Sequence, residues 1–154
     1  MSELWKNVVT FWNNGNVEVQ SPVSLEEIDQ FESENNLVFP TDFRRYLLTV
    51  NGTGDDCDDE MFRFWSPSEI KSVEDELAGY KSPDFPYEFT HPNCYVFADY
   101  MIWSWAYAIQ LSDSPDQPGP VFRVTNGAES EGELISPSFR GFMRQYLVDS
   151  MYLL

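Results

Sequence analysis

Histidine occurs once in this chain, at position 91, and cysteine only twice, at 57 and 94. These shortages narrow the chemistry. Any histidine-assisted nucleophile would depend on His91 alone, and its place between Thr90 and Pro92 reads as a loop or surface role. Cys57 stands among carboxylates, whose like charge disfavours the thiolate that a nucleophilic cysteine needs. Two cysteines without a C-x-x-C pair or an export signal are expected to stay reduced. A phosphate-cradling glycine loop is missing: Asn51-Gly52-Thr53-Gly54 lacks the third glycine of a dinucleotide site and the lysine of a P-loop. No apolar run approaches the roughly 20 residues of a membrane span. The opening MSELWKNVVTFW mixes acidic and polar residues into its apolar pattern and carries no small-residue cleavage signal. It reads as a helix and not as a signal peptide, so the expected compartment is the cytoplasm.

Positive charge is the other shortage. Nine basic residues stand against 26 acidic ones, giving net −17 and a pI near 4.1. Such a field repels phosphate backbones and anionic lipid, so neither nucleic acid nor a membrane surface is an expected partner. It would attract a cationic protein and speed its encounter, an effect that salt weakens. Equally, acidic surfaces keep proteins soluble without further purpose. Hydrophobic residues at 42% and aromatics at 16% are too many for a disordered chain. At 154 residues the length suits one domain with a substantial core, here 1–154.

The stretch from Ser24 to Gly54 organises the rest. Ser24 followed by Glu27 is a capping box, and Leu25, Ile28 and Phe31 then recur at helical spacing until Asn35-Asn36. Leu37-Val38-Phe39-Pro40 is a short extended link. Thr41 can cap a second helix whose buried face is Phe43, Tyr46, Leu47 and Val50, with Asn51-Gly52 as a left-handed stop. Ahead of this pair, a helix over 2–13 has Leu4, Trp5, Val8, Val9 and Trp12 on one side, and Val17 to Gln20 alternate like a short edge strand.

Beyond it, Ser66-Pro67-Ser68-Glu69 predicts a third helix with Ile70, Val73 and Leu77 inward and Gly79 at its end. Tyr80 to Asn93 reads as a long loop packed by its own aromatics. Tyr95 to Ala98 is a strand. From Met101 to Leu111, large residues, including Trp103 and Trp105, alternate with small ones, predicting a central strand. Val121 to Val124 and a return to Leu134-Ile135 flank the hairpin signal Asn126-Gly127. Ser136-Pro137-Ser138 opens a last helix that buries Phe139, Phe142, Met143, Tyr146 and Leu147. The expected fold class is α+β, one antiparallel β-sheet packed against several α-helices.

The segment FPTDFRRYLLTVNG, the aromatic strand after a proline-rich loop, and the closing Ser138-Phe139-Arg140-Gly141-Phe142 together resemble the SMI1/KNR4, or SUKH, superfamily over residues 21–154. The resemblance implies a protein-binding unit without catalysis or cofactor, often an immunity protein that neutralises a bacterial toxin. A regulatory scaffold for a cellular partner is the alternative it also implies; from another class, and apart from the resemblance, a small-molecule-binding or hydrolytic protein using the loop around His91 is a third. Binding surfaces vary within such a family, so the motif positions themselves read as structural.

Candidate contact residues therefore come from charge alone. Asp55, Asp56, Asp58, Asp59 and Glu60 place five acids in six positions, and Glu129, Glu131 and Glu133 alternate beside the Asn-Gly turn, where they would extend the same negative patch. The first run lacks the position-6 glycine and downstream glutamate of an EF-hand, so metal is not its expected ligand. A cationic toxin domain, such as a basic nuclease, is. Replacing the four aspartates with asparagine is expected to leave folding unchanged. Trp65, Trp103 and Trp105 have the chemistry of interface anchors, but their strand spacing reads as core.

Overall fold

The computed structural model describes residues 3–15, 17–80, 89–125 and 132–154. In chain order these form α1 (Glu3–Asn14), α2 (Leu25–Asn35), α3 (Thr41–Thr49), β1 (Phe62–Phe64), β2 (Lys71–Ser72), α4 (Val73–Leu77), β3 (Cys94–Tyr100), β4 (Trp105–Gln110), β5 (Val121–Val124), β6 (Glu133–Ser136) and α5 (Phe139–Asp149). The architecture is α+β. The sheet runs β1-β3-β4-β5-β6 with every described pairing antiparallel, and β2 shares with β1 the free edge of β3. No described helix is long and apolar enough to cross a membrane.

Local signals account for the helices. Ser24 accepts from the Glu27 amide while Glu27 reaches back to the Ser24 amide, the reciprocal cap that starts α2. Asn36 ends that helix in the left-handed region, at φ 53°. Ser138 caps α5 by accepting from Gly141 N at 2.9 Å. The apolar stripes then meet over the sheet. Phe43 of α3 and Phe139 of α5 sit edge to face, 4.7 Å apart, above Phe97 of β3, and Phe142 covers Tyr107 of β4. Helix α1 packs on α5 through Trp5, stacked on Phe139, and on β1 through Trp12, against Phe64. Each fully buried aromatic of this kind contributes about 3 kcal/mol from area alone.

Several elements depart from what local pattern predicts. The third helix is only five residues long and is capped by Ser72, because Lys71 and Ser72 are drawn into the sheet beside Val96 and Tyr95. Ser66 to Glu69 forms a turn instead. The strand predicted from Met101 begins only at Trp105. Ser104 N donates to Tyr100 O at 2.9 Å and Trp103 N to Asp99 Oδ1 at 3.3 Å, reversing the chain in a four-residue turn. Met101, Ile102 and Trp103 there take positive φ of 48°, 53° and 62°. Residues 17–20 form no strand. Thr41 is inside α3 and not its cap, its hydroxyl donating to Pro115 O at 3.1 Å. Ser2, the loop aromatics Phe85 and Tyr87, and the Asn126-Gly127 turn lie outside the described residues.

Gly52 has a more specific role than a helix stop. Val50 already leaves α3 in extended conformation, and Gly52 at φ +75° lies so close to β1 that an added Cβ would stand 2.3 Å from Phe64 O. Gly52→Ala should therefore cost about 3 kcal/mol of stability by urea denaturation, near the top of the ordinary range for single substitutions. Gly79→Ala, where a Cβ meets nothing within 4 Å, should stay within about 0.5 kcal/mol of wild type.

Candidate functional site

The acidic run is a loop between α3 and β1 whose backbone is fixed from below. Thr53 N donates to Phe64 O at 3.0 Å, while the Thr53 hydroxyl donates to Asp56 O at 2.8 Å and accepts from Phe64 N. Arg63 Nη1 reaches Gly54 O at 3.3 Å. The strongest tie is Asp58. One of its carboxylate oxygens accepts from the amides of Glu60 and Phe62, both at 2.9 Å, and the other accepts from the Tyr146 hydroxyl. That hydroxyl in turn accepts from Trp12 Nε1 at 2.9 Å. A relay of three buried side chains thus joins α1, α5 and the loop.

Burial raises the Asp58 pKa above the usual aspartate value, against the opposing pull of the Tyr146 hydroxyl and the two amides. The Tyr146 phenol is pushed up too, by burial first and by the Asp58 charge next. The Cys57 thiol is raised by burial and by the charges of Asp99 and Asp58, which keeps it protonated at neutral pH. Cys57 and Cys94 are both free.

The contact residues expected from charge separate into groups. Asp55, Asp56, Asp59 and Glu60 are exposed, and none of the four takes part in an ion pair among the described residues. Asp58 is a correction: at 5% exposure it faces the core and holds the loop, so it is not a contact residue and its replacement would disturb folding. Glu133 is exposed at the start of β6 and pairs with Arg123 at 3.3 Å. Glu129 and Glu131 lie outside the described residues. The loop leads into β1 at one sheet edge while β6 forms the other, four strand spacings or about 19 Å away, so Glu133 does not extend the loop's patch.

Two features beside the loop escaped sequence reasoning. Asp99, 3% exposed near the end of an aromatic strand, accepts from Arg63 Nε at 3.1 Å and from Trp65 Nε1 at 2.7 Å. Arg63 also holds Glu69 at 2.8 Å. A carboxylate in so apolar a strand had to have partners, which was the available signal. The second is the β3–β4 turn, whose Met101 N donates to Met61 O at 2.9 Å, just past the acidic run. Trp103 and Trp105 are half-buried, Trp103 donating to Glu76 Oε1 at 3.0 Å and Trp105 stacking on Tyr100, whereas Trp65 is core.

His91 is engaged as well: its ring stacks on Phe122 with centroids 3.9 Å apart, and Nε2 is 2.9 Å from Gly132 O. Among the described residues no group of three or more His, Cys, Asp or Glu side chains is placed to hold a metal ion.

A helix-backed antiparallel sheet with a pinned acidic loop at one edge defines an α+β domain with a presented charged surface. Its family follows from comparison. The model of the SMI1/KNR4 family (SUKH-1) matches residues 22–145, and the chain belongs to that family. No curated protein matches it.

The buried Asp58 gives a pH signature. Because its folded-state pKa lies above the unfolded value, the stability it contributes is fully present below the unfolded pKa of about 3.9 and is lost as pH rises through the folded pKa. Asp58→Asn does not titrate at this position. The stability of wild type relative to Asp58→Asn should fall as pH rises above about 4, measured by urea denaturation of both; a difference growing with pH would reverse the sign.

Proposed function

We propose that this protein is a non-enzymatic binding module, an immunity protein that binds and neutralises a cognate cationic toxin domain. The carrying observation is the loop itself. Asp55, Asp56, Asp59 and Glu60 are exposed and without ion pairs among the described residues, while the backbone that carries them is tied to the core through Thr53 and Asp58. Carboxylates fixed in this way offer a basic nuclease a substitute for the phosphates of its substrate, and need little ordering on binding. Family membership and the net charge of −17 support the same reading. The working unit is the whole chain, 1–154, since Trp12 of α1 completes the relay that holds the loop. The module would act in the cytoplasm, covering the toxin's substrate surface.

Neutralisation requires that a basic partner be toxic when expressed alone and harmless when co-expressed with this chain. With such a partner purified, the triple variant Asp55→Asn, Asp56→Asn, Asp59→Asn should associate about tenfold more slowly at low salt, with dissociation little changed, by stopped-flow fluorescence. Asp58 is left in place to keep the loop folded. An on-rate equal to wild type at low salt would contradict the role given to these carboxylates.

A further inference from the structure

We propose that the β3–β4 turn is the anchor of the partner interface, with Ile102 at its centre, Met101 and Met61 beside it, and a basic protein domain bearing an apolar pocket as its occupant. This rests on the protein-binding reading above. Ile102 is 83% exposed, Met101 45% and Met61 37%. They are neighbours, since Met101 N bonds Met61 O and the Ile102 backbone lies against the Cys57 sulfur.

Conformation sets this patch apart. Three successive residues other than glycine hold positive φ, and one of them is β-branched, the type for which such a backbone is most unfavourable. Four-residue turns can be built far more cheaply with Gly or Asn at such positions. The strained form persists because its surroundings determine it: Asp99 Oδ1 accepts from Trp103 N, Glu76 holds the Trp103 indole, and the Ser104 hydroxyl donates to Met101 O at 2.9 Å. A rigid knob loses little entropy on docking. Strain retained at an exposed apolar tip is explained by what the tip does when covered.

The rim selects the occupant. Glu60 precedes Met61 directly and Asp59 stands one residue before it, so the apolar centre adjoins the acidic loop, whose exposed carboxylates have no ion pair among the described residues. An apolar centre with a charged rim is the layout of a hot spot, and a negative rim demands a positive partner. A second copy of this chain does not fit. A two-fold interface would set each acidic rim against its own image or against another acidic surface of a molecule at net −17.

The test uses the full chain with the photoreactive residue benzoylphenylalanine in place of Ile102, or in place of Tyr152, which is also exposed. After irradiation in the cells that produce it, the adduct is identified by mass spectrometry. The captured protein is then purified, and its Kd is measured against wild type, Ile102→Gly and Ile102→Asp. The expected adduct forms from position 102 with a protein of pI above about 9, and both variants bind at least about tenfold more weakly. Ile102→Gly should do so with a Tm no lower than wild type, because glycine relieves the positive φ, so weaker binding cannot be blamed on misfolding. Adducts from position 152 alone, or a basic partner whose Kd both variants leave unchanged, would overturn the anchor and leave the binding module standing. No adduct from either position, with no basic protein retained by the wild-type chain, would overturn both.

Discussion

The buried carboxylate of Asp58 is the constraint on which the presented surface depends. A charge placed among aromatic side chains is costly unless hydrogen bonds surround it, and here two loop amides and the Tyr146 hydroxyl do so. Its partners come from both directions. The amides of Glu60 and Phe62 belong to the segment being shaped, while Tyr146 and Trp12 belong to helices at opposite ends of the chain. Removing either side leaves a buried polar atom unpaired, so the loop and the helical layer hold one another in place.

The same economy governs the cations. Arg63 serves buried Asp99 and Glu69, Arg44 holds Glu32, Lys71 holds Glu76, Arg140 holds Asp42 and Arg123 holds Glu133. The exposed pairs contribute at most about 1 kcal/mol each. Their larger consequence is for the field outside the molecule: most of the nine basic residues are committed within the fold, and the acidic loop has no share in those pairs among the described residues. The strained turn beside it adds an apolar centre to that field. Steering and anchoring are thus separable, the first long-range and weakened by salt, the second short-range and dependent on shape.

Much of the fold was legible because its signals are local. The Ser24-Glu27 box, the Phe43-Tyr46-Leu47 face and the Phe139-Phe142-Met143-Tyr146 stripe of α5 each depend on residues within one or two turns, and each appears where the pattern places it. What escaped depends on distance. Asp58 is one of five acids in six positions, and what buries it against the core is Tyr146, 88 residues away. The alternation from Met101 onward has the period of a strand whether or not the chain turns, and the turn is decided by Asp99 and Tyr100 accepting amides across it. Glu69 does reach back to Ser66 through one oxygen, as a capping residue would, but its other oxygen holds Arg63 and only a turn follows. The resemblance to the SMI1/KNR4 family was readable from three motifs, and the aromatic residues that carry them, such as Phe39, Phe43, Phe97, Phe139 and Phe142, are buried in the core.

Hydrogen exchange in Tyr146→Phe tests the claim about Asp58 most directly. This change deletes one oxygen, leaves the ring in the core, and takes away one of the carboxylate's three donors. The amides of Glu60 and Phe62 should lose protection, by about tenfold for each 1.4 kcal/mol of local stability, while those in the middle of β3 and β4 keep theirs. Unchanged protection at Glu60 and Phe62 would mean that the loop is held by something other than the Asp58 relay.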